Sequence, residues 1–254
     1  MWVRSTMAYR TSFLLMSSGQ FLATGLDFVA IWIMFSHTPQ LGGFALSEVA
    51  LLYGASGMAI GLADLLIGGI ERIGHRIRDG SLDAMLVRPV PPYVQVAADR
   101  FALRRLGRIT QAAAVFGWAM VAVDIDWTPG KVLLLPMMLI CGTVIFCGIF
   151  TLGAAFQFVA MDAAEVSNAF TYGGNTLTQY PPTIFGKELV RAVTFTVPLA
   201  FVNWLPVLYL LDRPAPAGLP DALRFASPVA AAALAAVAAV AWRSAIRSYR
   251  STGS

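Results

Sequence analysis

The sequence predicts an all-α membrane protein that crosses the bilayer several times. Of the 254 residues, 57% are hydrophobic and 13% are charged, which is about half the charged share of an ordinary soluble domain. The apolar residues lie in runs, several of them long enough for a membrane-spanning helix, which needs about 20 residues. Basic residues collect between alternate runs, as they do on the cytoplasmic side of membrane proteins.

Six segments are predicted to cross the membrane. The first is interrupted by Asp27 and the second by Asp64. The third has a short apolar part, so Arg105 and Arg108 are expected to snorkel at one end and Trp127 to lie at the opposite interface. The fourth is longer than the bilayer requires and should tilt or protrude. The predicted spans are residues 13–35, 46–70, 105–127, 131–160, 163–180 and 222–242.

The region 163–211 allows two arrangements, because glycines and prolines interrupt its apolar sequence. In the first, 163–180 crosses the membrane and 181–211 forms broken, partly re-entrant helices at the outer face. Such helices are allowed where protein or a cavity covers them. In the second, 192–211 crosses, and hydropathy and the positions of Lys187 and Arg191 favour this arrangement.

Basic residues also predict the orientation. With six spans, 13 of the 18 Lys and Arg residues fall on one side: in the N-terminal segment, in 71–108 and in the C-terminal tail. That side is predicted to be the cytoplasm, so both ends of the chain lie there. We interpret the net charge of +4 as part of this topology signal. No motif indicates binding to nucleic acid.

The predicted cytoplasmic loop between the second and third spans, residues 71–104, carries the clearest motif. Gly80 ends a polar helical stretch, and Ser81 is suited to cap a short helix after it. Arg88 and Pro89 end that helix, because a residue before proline avoids the α conformation.

The short helix in this loop is predicted to be amphipathic. Asp83 is favourable in its first turn, and Leu82, Met85 and Leu86 recur at helical spacing to form one apolar face. Such a helix fits the groove of a partner protein. A helix that merely tethers two spans fits the same pattern.

Four stretches resemble one protein family. The sequence from Gly80 to Asp83, followed by Leu86 to Val90, resembles the coupling-loop signature of type 2 ABC exporter permeases, and more narrowly the viologen-exporter-like permeases. Three later stretches agree with that family in the same order. They are Asn168-Ala-Phe-Thr-Tyr-Gly-Gly-Asn175, Pro198-Leu-Ala-Phe-Val-Asn203, and Arg247-Ser-Tyr-Arg-Ser-Thr-Gly253.

The resemblance implies six spans with outer re-entrant helices before the last one, and therefore the first arrangement of 163–211. It also implies a second permease, identical or paralogous, and a cytoplasmic ABC ATPase dimer that holds ATP and Mg, so that no cofactor belongs to this chain. The implied function is ATP-driven export of a small amphipathic or cationic compound across the bacterial cytoplasmic (inner) membrane and its lipid. The residues implied in coupling to the ATPase are Gly80, Ser81, Leu82, Asp83, Met85, Leu86, Arg88 and Pro89.

Polar residues within the spans are candidates for a translocation path. They are Asp27, Asp64, Asn168 and Asn175. A carboxylate at the centre of a span costs about 2.5–3.5 kcal/mol on insertion scales, so the two aspartates should face other helices, the partner permease or water. They line a path for a cationic solute in one interpretation, and in the other they only bond neighbouring helices.

The alternative is an integral membrane enzyme, or a channel-like membrane protein without an ATPase partner. An enzyme needs clustered acids, histidine or a nucleophile near one interface. Asp124 and Asp126, at the outer end of the third predicted span, are the only close acidic pair near the link to the fourth span, and no histidine accompanies them. His37 and His75 lie in different loops, so no metal site is predicted. Composition does not exclude a channel.

Overall fold

The computed structural model describes residues 10–98, 105–160, 164–215 and 218–249, with side chains from residue 14 onward. Parts of the predicted loop (99–104), of the fifth predicted span (163) and of the family-like tail (250–253) lie outside the described residues. Within the described ranges the chain is helical and contains no strand. The α-helices are α1 (Arg10–His37), α2 (Leu46–Ile67), α3 (Ile73–Arg78), α4 (Ser81–Leu86), α5 (Pro92–Ala98), α6 (Leu106–Ala122), α7 (Pro129–Phe156), α8 (Ala164–Thr178), α9 (Lys187–Phe195), α10 (Trp204–Leu210) and α11 (Ser227–Ser248).

Four helical segments in the described part of the chain are long and apolar enough to cross a membrane. They are Leu14–His37, Leu46–Arg78, Pro129–Phe156 and Ser227–Ser248. The bent pair Lys187–Phe195 and Leu199–Leu210, with an angle of 81°, would make a fifth. The chain is therefore an all-α polytopic membrane protein, and its division into six spans stays a prediction.

Two predicted spans coincide with shorter helices. α6 has 17 residues and α8 has 15, so they extend about 26 and 22 Å, against a hydrocarbon core of about 30 Å. The last helix also differs from its predicted bounds, because residues 221–225 form a separate 3₁₀ turn. Pro228 then occupies the first turn of α11, where its missing N–H does not break a helical hydrogen bond.

α2 is the central helix and is buried along most of its length. A stripe of small residues lets α6 approach it closely, as between helices in membranes. A Cβ atom at Gly54 would lie 2.7 Å from Phe116, and one at Gly61 would lie 2.8 Å from Ile109. α7 packs against α2 on one side and against α11 on another, and α1 packs mainly against α6.

Hydrogen bonds show the direction in which α8 runs through the bundle. Near its start, the Ser167 hydroxyl donates to the Gly153 carbonyl, close to the end of α7. Near its other end, Thr178 lies 2.6 Å from the hydroxyl of Ser56 in the first half of α2. Further along, the Thr183 hydroxyl donates to the carbonyl of Gly42 in the loop before α2. α8 thus rises from the end that carries the 71–98 loop to the opposite end.

Candidate functional site

The 71–98 loop folds into three short helices, α3, α4 and α5. Gly80 joins the first two with a φ of +70°, a left-handed conformation that glycine adopts without steric cost. The Asp79 carboxylate, rather than Ser81, supplies the acceptor at the start of α4, because it accepts a hydrogen bond from the Ser81 amide at 3.0 Å. Hydrogen bonds from Ser81, and then from His75, hold the pKa of Asp79 below its usual value.

Two of the three residues on the apolar face of α4 point into the protein. Leu82 is fully buried and Met85 is buried, in the core cluster that also contains Ile77 and Val96. The physical reason is that α4 packs between α3 and α5, so the loop needs these two side chains for its own folding. Leu82 and Met85 are therefore part of the core of the loop in this chain.

The outward surface of the loop begins where α4 ends. Leu86 is 37% exposed, Val87 84% and Val90 44%, and Arg88 and Pro89 between them are also exposed. We call residues 86–90 the loop ridge. The Gln95 side chain holds the backbone at both ends of this ridge. It donates hydrogen bonds to the carbonyls of Met85 and Val90 at 2.8 and 2.7 Å.

Side chains of the long helices hold the loop to the bundle. Gln157, buried at the end of α7, donates to the Glu71 carbonyl and accepts from the Gly74 amide. The Tyr93 hydroxyl lies 3.0 Å from that of Thr151 in α7. The loop is therefore anchored to α7 before and after the ridge.

Aromatic contacts and a carboxylate link the loop to α11. The ring of Tyr93 packs edge-on against Trp242, with centroids 5.3 Å apart. Just after α11, burial and then the neighbouring Asp83 carboxylate raise the pKa of Tyr249. Asp83, in the first turn of α4, thus lies near enough to the end of the last helix to act on Tyr249 electrostatically.

A polar cavity of about 360 Å³ lies beside this loop, at the same end of the bundle. It contains two of the four predicted path residues, Asp64 and Asn168. The remaining lining residues are Gln20, Glu71, Arg72, Arg105, Arg108, Ala164 and Tyr172. α1, α2, α6 and α8 thus each contribute to one cavity, together with the 3₁₀ turn after α2.

A buried ion pair forms one wall of the cavity. Arg105 Nε lies 3.0 Å from Asp64 Oδ2, and Arg105 Nη1 donates to the Asp64 carbonyl at 2.7 Å. Arg105 therefore folds back onto α2 and does not snorkel, because a buried carboxylate is costly without a partner. Gly68 leaves room for this pair, since a Cβ there would collide with Asp64 Oδ1.

Glu71, Arg108 and Tyr172 form the opposite wall. The Tyr172 hydroxyl donates to Glu71 Oε2 at 3.4 Å. The Arg108 guanidinium carbon lies 5.4 Å from the centroid of the same ring, within the range of a cation–π contact.

The other two predicted path residues lie elsewhere. Asn175 Oδ1 accepts from the Ser56 hydroxyl at 2.8 Å, so this residue joins α8 to α2. Asp27 is exposed on α1, near enough to Tyr53 to act on it electrostatically. Asp27 and Asn175 do not line the cavity that contains Asp64 and Asn168.

The sequence prediction missed four residues of this cavity as functional candidates. Glu71 and Tyr172 were not singled out, and Arg105 and Arg108 were assigned only to the membrane interface. A signal was present for Glu71, which directly follows a long apolar run. The pairing of Arg105 with Asp64 has no local signal, because the two residues are 41 positions apart. Within the described ranges, no group of His, Cys, Asp or Glu is arranged to hold a metal ion.

A comparison with protein families identifies the chain. Residues 21–253 match the family described as ABC-2 family transporter protein. A search of curated proteins finds no match, and neither does a search of solved structures. The family match includes the 71–98 loop, the residues that line the cavity except Gln20, and all the long helices apart from the beginning of α1. The chain therefore belongs to the ABC-2 transporter family, whose members are membrane-spanning permease subunits of ABC transporters and act with an ABC ATPase.

Proposed function

We propose that this chain is the permease subunit of a type 2 ABC exporter, similar to the viologen-exporter-like permeases. It moves a small amphipathic or cationic compound outward across the bacterial cytoplasmic membrane, using ATP hydrolysed by a separate cytoplasmic ATPase dimer. The observation that carries this proposal, beyond the family, is the exposed apolar ridge on a loop that is fastened to α7 and α11.

The ridge has the chemistry of a docking surface. Leu86, Val87 and Val90 expose apolar surface next to Arg88 on the side of the protein predicted to face water. Exposed apolar groups that cluster mark interaction sites, and an arginine beside them adds a directed charged contact. Since Gln157 and Tyr93 hold the loop to α7, movement of a bound ATPase would be transmitted to the spans.

Contacts at the opposite end of the bundle support six spans with the segment 181–211 at the outer face. Thr183 bonds to Gly42, in the loop between α1 and α2. Arg213 makes a two-pronged contact with Glu48, at the start of α2, with both oxygens 2.8 Å from Nη2. With the ridge in the cytoplasm, these residues face outward. This is the first of the two arrangements that the sequence allowed.

The exposed side of α1 supports assembly with a second permease. Leu22 and Leu26 are each about two-thirds exposed, and Asp27 lies beside them without burial in this chain. A carboxylate facing lipid at this depth would cost about 2.5–3.5 kcal/mol. A partner chain that covers α1 would supply that carboxylate with polar contacts or water.

The test is purification of the chain with and without an ABC ATPase subunit from the same organism. We expect the permease to copurify with the ATPase and to hydrolyse no ATP alone. The double substitution Leu86→Asp and Val87→Asp should reduce ATPase retention at least tenfold, because two carboxylates would replace the apolar contact. The inner part of the loop is untouched, so the amount of protein in the membrane should stay near normal.

The control is Val159→Asp, which introduces one carboxylate at another exposed valine, just beyond α7. It should leave ATPase retention unchanged. ATP hydrolysis by the isolated chain, or normal ATPase retention and transport in the double variant, would contradict the proposed coupling. Failure of every ATPase to bind would favour a channel-like protein or a membrane enzyme.

A further inference from the structure

Glu71 and Arg108 carry opposite charges in the polar cavity, but among the described residues they do not form an ion pair with each other. Glu71 Oε2 accepts the weak hydrogen bond from Tyr172. Its other oxygen, Oε1, is buried and has no hydrogen-bond partner among the described residues. A buried carboxylate oxygen without a donor is costly, so this atom is a position at which a ligand would be stabilised.

Arg108 supplies the second position. Its guanidinium lies over the Tyr172 ring, and within the described part of the chain it has no ion pair or hydrogen bond. Arg105 differs, because it is committed to Asp64 through two contacts. A guanidinium presents several N–H donors in one plane, and it binds carboxylate or phosphate groups well.

Tyr172 contacts both positions. Glu71 lies at the hydroxyl end of this side chain, and Arg108 lies over its ring face. The two charges therefore contact the same tyrosine side chain, and one small ligand that carries two opposite charges would meet both of them in the cavity.

We propose that this cavity binds a zwitterionic group, with its ammonium at Glu71 and its phosphate or carboxylate at Arg108. A cation alone would leave Arg108 unsatisfied, and an anion alone would be repelled by Glu71. The volume of about 360 Å³ is at the lower end of small-molecule sites, so it suits a headgroup or a compact solute. That this ligand is the exported cargo rests on the proposed function, whereas the binding site itself does not.

Two sources carry this chemistry, a phospholipid headgroup and a free zwitterionic solute. The solute arm uses glycerophosphoethanolamine, with ethanolamine as the cation-only probe and glycerophosphoglycerol as the anion-only probe. The lipid arm uses lysophosphatidylethanolamine against lysophosphatidylglycerol. Binding to the detergent-solubilised full chain is measured by the ligand-dependent shift of thermal unfolding and by native mass spectrometry.

We expect at least one zwitterionic probe to bind at least tenfold more tightly than every single-charge probe in its arm. Glu71→Gln and Arg108→Gln should each weaken that binding at least tenfold. Glu188→Gln and Arg191→Gln are the matched controls, because they remove the same two charges from an exposed pair on α9, and they should bind the probe like the unchanged chain. Tighter binding of the lipid probe than of the free one identifies a lipid headgroup, and the reverse identifies a solute.

Equal binding of a single-charge probe, or an effect of only one of the two cavity variants, would overturn the zwitterion assignment. Absence of binding by every probe to a correctly folded chain would mean that the cluster only stabilises the helices. These outcomes are separate from the proposed function, which is judged by ATPase retention. A chain that binds the ATPase and no zwitterion keeps its role as a permease and loses only this site.

Discussion

Gly80 determines the direction in which α4 leaves the preceding helix. Its φ of +70° costs most residues about 1–2 kcal/mol, whereas asparagine tolerates this conformation. We therefore expect Gly80→Ala to destabilise α4 and to speed hydrogen exchange of the amides in residues 81–86, with Gly80→Asn showing a smaller effect. The measurement is hydrogen exchange by mass spectrometry on the purified chain. Equal exchange in the two variants would show that the left-handed turn does not control the loop.

Leu82 and Leu86 share a face of α4 but differ in burial. The position of Leu82 in the helical pattern matches that of Leu86, yet Leu82 is fully buried and Leu86 is 37% exposed. A carboxylate at Leu82 would therefore damage the folding of the loop before it affected any partner. For this reason the coupling test uses Leu86 and Val87, which reach outward.

At the scale of elements, the end of α10 joins two of the long helices. Lys131, at the start of α7, is 3% exposed and pairs with Asp212 at 2.6 Å. The next residue, Arg213, pairs with Glu48 at the start of α2. Neighbouring residues of opposite charge thus tie α10 to α7 and α2 at the end predicted to face outward.

Removal of the Asp212 charge should destabilise this junction. Asp212→Asn keeps a residue that tolerates the observed φ of +52°, but it leaves the Lys131 ammonium buried without its counter-ion. The side chain of Asp212 is 62% exposed, so solvent already screens part of its interaction with Lys131. We therefore expect the substitution to lower the free energy of unfolding by about 1–3 kcal/mol. Thermal unfolding in detergent measures it. The double variant with Lys131→Met should recover most of the loss, and a double variant as unstable as Asp212→Asn alone would contradict this explanation.

At the scale of the whole molecule, the topology has a direct test. After replacement of Cys141 and Cys147 by alanine, single cysteines are placed at positions 40, 80, 187 and 250. A membrane-impermeant thiol reagent applied to intact cells should label 40 and 187 and should not label 80 or 250. Labelling of all four in opened membranes is the control for accessibility.

Position 187 distinguishes the two arrangements of 163–211. Protection of position 187 in intact cells, with labelling of position 40, would mean that 192–211 is the fifth span. Labelling of position 80 from outside would reverse the whole orientation and would place the loop ridge beyond the reach of a cytoplasmic ATPase.

The sequence by itself determined the membrane class, the approximate place of the long helices, the short helix that begins at Ser81 and the family, whereas the end of that helix at Leu86 rather than Arg88 came from the structure. These properties are local: the length of an apolar run, the spacing of leucines over one turn and the order of short motifs do not depend on distant residues. The helix stop at Gly80 belongs to the same group, because glycine is common just after the end of a helix, whereas its left-handed conformation is a finding of the structure.

The tertiary structure alone decided which polar groups meet. Asp64 and Asn168 share one cavity, whereas Asp27 and Asn175 lie elsewhere, although all four looked alike as polar residues within apolar spans. Packing likewise turned Leu82 and Met85 inward and paired Arg105 with Asp64. The physical reason is that burial and ion pairing depend on which helices become neighbours, and helices distant in sequence become neighbours only when the bundle has folded.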